Sequence, residues 1–189
     1  MLKEWGADAV VYPIIPDKKD LLKQAVKDAS EKYDAVLILA GSSAGRDDYT
    51  CDIIRELGEV CVHGIAIKSG KPAVLGKIGT TPVVGLPGYP VSAIVVMREI
   101  VKDLMAFLSY KTIKTEYKIT AVLGKRIISS LKYREYVRVT LGKIGDTYVA
   151  VPLPRGAGIV TSFTKADGII TVKNGSVLYA IWTPVDNAG

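Results

Sequence analysis

The 189-residue sequence predicts an α/β domain over 1–110, a parallel-type sheet flanked by helices, followed by a small all-β barrel domain over 111–189. Three observations predict it. Short apolar runs alternate with helical patterns in the first half. The second half holds only turn-separated β-rich segments. Charge divides the same way: residues 1–110 carry 13 basic and 14 acidic side chains, net −1, whereas 111–189 carry 12 and 5, net +7.

Taken in order, Ala9–Ile15 reads as a strand ending at Pro16-Asp17. Lys18–Lys32 is helical, with Leu21, Leu22, Ala25, Val26 and Ala29 on one face, Asp17 as N-cap and Asp20 in the first turn. Ala35–Leu39 is a continuous apolar run, expected of a strand covered on both faces. A Gly-bearing loop leads to a helix over Asp48–Leu57, stopped by Gly58 at the C′ position. Val60–Ile67 is a strand and Lys68–Pro72 a loop, followed by short strands at Ala73–Leu75 and Pro82–Leu86. Pro87-Gly88-Tyr89-Pro90 forces a turn, with Pro90 as the first residue of a helix to about Ser109.

Tyr110–Thr115 is a polar linker. Beyond it Tyr117–Leu123, Glu135–Leu141, Thr147–Leu153, Ile169–Val172 and Val177–Val185 read as strands, with no convincing helix. Val137, Val139 and Leu141 alternate with Tyr136, Arg138 and Thr140, the signature of a half-buried strand.

Composition narrows the class. Apolar residues make up 49% and charged residues 23%, which excludes a disordered tail or a disulfide scaffold. The apolar run Ala93–Val101 is far short of the ~20 residues that span a bilayer, and MLKEWGADAV shows no secretory pattern, so no membrane role and a cytoplasmic location are expected. Cys51 and Cys61 fit two reduced thiols. His63 is the only histidine and reads as structural; a histidine triad and a zinc site find no support. The net charge of +6 attracts anions without choosing among nucleic acid, membrane and phosphorylated small molecules. Aromatics among the basic residues are few, Tyr133 and Tyr136 being the best placed, so nucleic acid is not the expected partner.

Three loops could carry chemistry. In Gly41–Asp48, between a buried strand and a helix, Gly41 and Gly45 permit backbone approach and Ser42 and Ser43 can donate to oxyanions; an ordinary strand–helix connection has the same pattern. Asp48 and Asp52, four apart, could hold a magnesium ion or simply be solvated acids of a first helical turn. In the second loop, Lys68 and Lys71 flank Ser69-Gly70, ahead of Pro72, and could neutralise a tetrahedral oxyanion. The third, Gly85–Pro90, is a rigid turn where Ser92 could donate to an anion or cap its own helix.

In this order GSSAGRDDY (Gly41–Tyr49), ELGEV (Glu56–Val60), HGIAIKSGKP (His63–Pro72) and GLPGYPVSA (Gly85–Ala93) resemble the MoeA family, the molybdopterin molybdenumtransferases related to the E domain of gephyrin. RGAGIVTSFTKADGIITV (Arg155–Val172) resembles the central stretch of that family's β-barrel domain, so the likeness covers nearly the whole chain. The resemblance implies a molybdopterin-binding-like α/β domain and a magnesium-dependent reaction in which adenylylated molybdopterin and molybdate give molybdenum cofactor and AMP. It implies catalytic roles for Asp48, Lys68 and Lys71, with Asp48 at the magnesium. Gly41, Ser42, Ser43, Gly45, Gly70, Pro72, Pro87, Gly88 and Ser92 are the implied substrate-binding positions. Placing anions together and screening their repulsion requires no side-chain nucleophile.

The sequence also departs from the family's usual forms. Ala40 replaces a glycine, Ser42 a valine, Ser69 a proline and Tyr89 an asparagine, a better helix cap. Family members carry about two further domains upstream, plus a first strand whose glutamate contributes to the magnesium site. The resemblance therefore implies a truncated product, or a subunit needing a homo-oligomer or partner chain, with an unpaired sheet edge. A non-catalytic molybdopterin- or nucleotide-binding scaffold is the alternative, and an OB-like nucleic-acid module a third reading.

Overall fold

The structure is a computed structural model that describes residues 1–39, 49–113, 117–128, 132–156 and 160–172, and the backbone of 180–181. Two compact units emerge: Met1–Ile65 with Gly70–Ile113, and Ala66–Ser69 with Lys114–Gly189. The short segment 66–69 thus joins the second unit, although the sequence pattern assigns it to the first half.

In the first unit, α1 (Lys19–Lys32), β1 (Val36–Leu39), α2 (Thr50–Leu57) and β2 (Glu59–His63) precede the outlying strand β3 (Ile67–Lys68). β4 (Val74–Ile78), β5 (Thr81–Leu86), α3 (Pro90–Val96), a π-helical turn (Met97–Val101) and α4 (Lys102–Ser109) follow. The sheet order is β1-β5-β4-β2. The sheet is mixed where a parallel one is expected: β1 and β5 are parallel, while β5–β4 and β4–β2 are antiparallel. The cause is local. Gly79-Thr80 joins β4 to β5 directly, Gly79 at φ +59°, and a two-residue connection can only return the chain antiparallel.

Both faces of β5 are covered. Along β5, Val83 packs with Val36, Cys51, Ile54 and Val74, whereas Val84 and Leu86 pack with Trp5, Val96, Val101 and Met105. Alternation at period two sends neighbours to opposite cores, so both must be apolar. α2 lies close on the sheet over glycines. A Cβ at Gly85 would stand 2.8 Å from Thr50 Cγ2, and one at Gly76 2.5 Å from Ile54 Cγ2.

Several expectations need correction. Ala9–Ile15 is not a strand: Pro13 and Pro16 remove backbone donors, and Val11 and Ile14 stand 90% and 100% exposed. Instead Tyr12 holds this segment to α1, donating to Asp28 Oδ2 at 2.7 Å. Lys18, not Asp17, is the N-cap of α1 and makes no side-chain cap bond. On that helix Val26 and Ala29 are buried, but Leu21 is exposed. Gly58 ends α2 in extended backbone (φ −167°), and what demands glycine there is close approach, since a Cβ would fall on the Lys77 carbonyl. The run Val60–Ile67 is broken at Gly64 (φ +86°). Pro90 does open its helix, and the helical path runs to Ser109 through the π-turn, ending at Tyr110 in the left-handed region.

The second unit is built on β7 (Arg134–Ile144). β6 (Thr120–Leu123), β8 (Thr147–Pro152), β9 (Gly168–Val172) and β10 (Ala180–Ile181) complete it with β3, and α5 (Thr161–Thr164) is a single helical turn where the sequence pattern shows no helix. These strands form one sheet in the order β10-β6-β8-β7-β3, with β9 on β7. Its core is Ile127, Val137, Val139, Ala150, Ile170 and Val172. The alternation predicted for β7 does place Val137 and Val139 inside, but Glu135 and Arg138 are buried as well.

Candidate oxyanion site

The parallel pairing of β1 and β5 sets the geometry of the first unit. Leu39, the last residue of β1, is the Cα partner of Leu86, the last of β5. The segment toward α2 and the turn toward α3 therefore depart from adjacent strand ends. β4 runs the other way, so its first residue, Val74, pairs with Gly85 at this same rim, and His63 at the end of β2 pairs with Val74. The Gly70–Ala73 turn immediately precedes Val74 and so also lies there. Thus the points where all three motif loops meet the sheet share one rim, at the carboxyl ends of its parallel strands, where α/β folds bind ligands.

The Gly70–Ala73 turn is braced by backbone bonds. Ile65 N–H donates to Lys71 O (3.0 Å), Gly64 N–H to Ala73 O (2.9 Å) and Ala73 N–H to Gly70 O (3.1 Å). Gly70 is buried and Pro72 half-buried, while the Lys71 side chain is exposed. Among the described residues no carboxylate pairs with its ammonium. In the third loop Pro87 is buried, Gly88 exposed, and Ser92 buried in the first turn of α3. Tyr89 is the N-cap and makes no side-chain cap bond, as a residue without a short acceptor must. Braced backbone, one unpaired cation and a helix start are the elements from which oxyanion sites are made.

Gly41, Ser42, Ser43, Gly45 and Asp48 lie outside the described residues. Asp52 is exposed on α2, with Arg55 Nη1 3.3 Å from its Oδ1. Among the described residues no three His, Cys, Asp or Glu side chains group to hold a metal. The donors described at the rim are nitrogen and hydroxyl groups, a poor match to the oxygen-rich shell of magnesium, so that expectation rests on Asp48. His63 lies 3.4 Å, through Nδ1, from Cys51 Sγ, and β2 carries a register shift between Val60 and Val62.

Lys68 sits apart from Lys71 in its surroundings. It is on β3 in the second unit, cross-strand from Glu135, and its Nζ lies 2.8 Å from Glu135 Oε1. Arg155 Nη1 takes the other oxygen, Oε2, at 3.0 Å, and also donates to Ile128 O at 2.8 Å. Arg138 is a second buried charge that the alternation pattern assigns to the open face. Its guanidinium lies 5.2 Å over the Phe163 ring, Nη2 reaches the Pro154 and Gly156 carbonyls, and Nε has no partner among the described residues. Burial pushes its pKa down. No sequence period signals Glu135. Arg155, in contrast, opens the RGAGIVTSF stretch, whose likeness to the family's β-barrel domain marks it in the sequence.

The chain thus combines an α/β unit, whose strand-to-helix connections leave adjacent strand ends, with a second unit built mainly of β-strands. A family model described as "Probable molybdopterin binding domain" matches residues 1–106, and one described as "MoeA C-terminal region (domain IV)" matches residues 120–180. The chain belongs to the MoeA family. A Methanocaldococcus jannaschii protein named for molybdopterin biosynthesis is 36% identical over 172 residues, 91% of this chain and 40% of the relative. The molybdopterin molybdenumtransferase of Haemophilus influenzae is 33% identical over 108 residues, 57% of this chain and 27% of the relative. The crystal structure of a MoeA protein from Pyrococcus horikoshii superposes with a TM-score of 0.67 at 35% identity, covering 88% of this chain and 41% of that one. The chain thus spans well under half the length of these relatives. Among the described residues no helix is long and apolar enough to cross a membrane.

Proposed function

We propose that this chain serves molybdenum cofactor biosynthesis as the part of a molybdopterin molybdenumtransferase that gathers the anionic reactants. The reactants are adenylylated molybdopterin and molybdate, and the products molybdenum cofactor and AMP. The single observation that carries this reading is the shared rim, where Leu39, Val74 and Leu86 bring three loops to adjacent strand ends.

The chemistry asked of these residues is positioning. Molybdate and a phosphoanhydride are both anions, and their approach is opposed by repulsion. Lys71, with no carboxylate partner among the described residues, offsets that repulsion, and the braced 70–73 turn fixes where it does so. Lys68 is assigned the role of a further anion-binding ammonium. Ser92, with Ser42 and Ser43, supplies hydroxyl donors, and Gly41, Gly45 and Gly88 leave room for a phosphate to approach the backbone. Asp48 is assigned to the magnesium ion, which would neutralise phosphate charge. A homo-oligomer, or a complex with a partner chain, is the expected active form.

The test is AMP release from adenylylated molybdopterin, with and without molybdate, by this chain alone and combined with a polypeptide supplying the relatives' remaining length. Molybdate-dependent release in the combined sample supports the reading. Nucleotide binding without release would instead fit a non-catalytic molybdopterin-binding scaffold.

A further inference from the structure

Glu135 is almost fully buried, at 2% exposure, yet it is charged and lies on a strand whose neighbouring inward residues are valines. Taking a carboxylate out of water is expensive, and a well-packed apolar residue there would serve the fold as well or better. Strand β3 does not depend on the charge for its attachment. It pairs with β7 at Ile67↔Arg134 and Lys68↔Glu135, Arg134 N–H donates to Ala66 O at 3.0 Å, and Ile67 is buried.

The charge does order one group. Glu135 Oε1 takes the Lys68 ammonium at 2.8 Å, while Arg155 braces Oε2 at 3.0 Å and is itself tied to Ile128 O. The carboxylate therefore has little freedom to rotate. An ammonium has three donors. One on Glu135 leaves two, and the Lys68 side chain remains 49% exposed while Glu135 is 3% exposed. Two cations, Lys68 and Arg155, meet this carboxylate among the described residues. A lysine on its four-carbon stem is otherwise among the most mobile of side chains, and ordering it in advance removes an entropic penalty from binding.

We infer that Glu135 is the positioning residue of Lys68: its buried carboxylate, braced by Arg155, fixes the ammonium and presents the two remaining donors to an oxyanion. This rests on the reading above in which Lys68 binds such an anion. Electrostatics alone and positioning predict opposite signs. Replacing Glu135 by a neutral isostere adds net positive charge, which would by itself tighten anion binding. Loss of positioning weakens it.

The experiment is molybdate titration of the chain by calorimetry. Glu135→Gln is expected to weaken binding roughly tenfold, in line with other residues that orient a ligating group; unchanged or tighter binding overturns the inference. Lys68→Ala/Glu135→Gln should bind no more weakly than Lys68→Ala, and a further loss would mean that Glu135 does not act through Lys68. Should Glu135→Gln fail to fold, Glu135→Asp keeps the charge and withdraws the oxygens by one methylene. Weaker binding by it supports the inference and wild-type binding overturns it. If the wild-type chain binds no molybdate, the oxyanion reading of the site fails, and the pairing is decided separately by the Lys68 ammonium signal in lysine-selective NMR. Protection from exchange that is lost in Glu135→Gln supports a fixed ammonium. The same signal in both contradicts it.

Discussion

Leu39 and Leu86 are Cα partners at the ends of two parallel strands, and each is the last residue before a connection to a helix. That register places the end of β1 beside the end of β5, where the Pro87–Tyr89 turn begins. Because Gly85, the neighbour of Leu86, pairs with Val74, the lysine-bearing turn lies next along the rim.

Lys71→Ala should weaken molybdate binding by about tenfold or more, the magnitude of losing a charge-assisted contact. Its effect on stability should be small, because the side chain is exposed and no carboxylate pairs with it among the described residues. Calorimetric titration and a thermal melt of the same sample check both.

Gly85→Ala should destabilise the chain by about 1–3 kcal/mol, the usual range for overpacking. The added Cβ would meet Thr50 Cγ2 at 2.8 Å and Val74 Cβ at 3.2 Å, forcing α2 away from the sheet. A lower urea midpoint with an unchanged slope is the expected result.

Glu56 on α2 faces two lysines of α1, with Lys19 Nζ at 2.7 Å and Lys23 Nζ at 2.6 Å. Its hydrogen bonds to Lys19 and Lys23 hold the carboxyl down to about 2, from an ordinary 4.5. A depressed carboxyl contributes stability that is present above the unfolded pKa and is lost as pH falls through the folded one. Glu56→Gln should therefore melt lower than wild type at pH 7, with the gap closing between pH 4.5 and about 2.

Tyr12 donates to Asp28, whose carboxylate also pairs with Lys32 at 2.6 Å. The hydrogen bond to Asp28 raises the Tyr12 phenol from 10.0 to about 12. A raised pKa gives stability that is complete below 10 and lost as pH rises through the folded value. In a spectrophotometric titration one tyrosine should ionise last, and Asp28→Asn should return it toward the others.

The periodic features of the first unit were legible because burial imposes them. The strand at Val36–Leu39 and the buried Val26 and Ala29 of α1 follow from spacing, and the helix opened by Pro90 from proline's fixed φ, although Leu39 and Leu21 stand exposed. What spacing could not convey was direction. Pro82–Leu86 reads identically as a parallel or antiparallel strand, and only the two-residue Gly79-Thr80 turn decides it for β4. Proline overrode the apolar run at Ala9–Ile15 because a missing donor outweighs a hydrophobic pattern. For the site, motif order revealed the three loops, and strand register explains why the strand ends they adjoin share a rim. The partner of Lys68 was invisible: Glu135 stands 67 residues away, and no local period marks a buried carboxylate.

The central claim is that one sheet rim gathers the reacting anions. Crystals of the chain soaked in molybdate, with data collected across the molybdenum absorption edge, would locate the metal directly. The account predicts an anomalous peak within hydrogen-bond reach of Lys71 Nζ, beside the Gly70–Ala73 turn. Molybdenum ordered elsewhere on the molecule, with that turn empty, would contradict it.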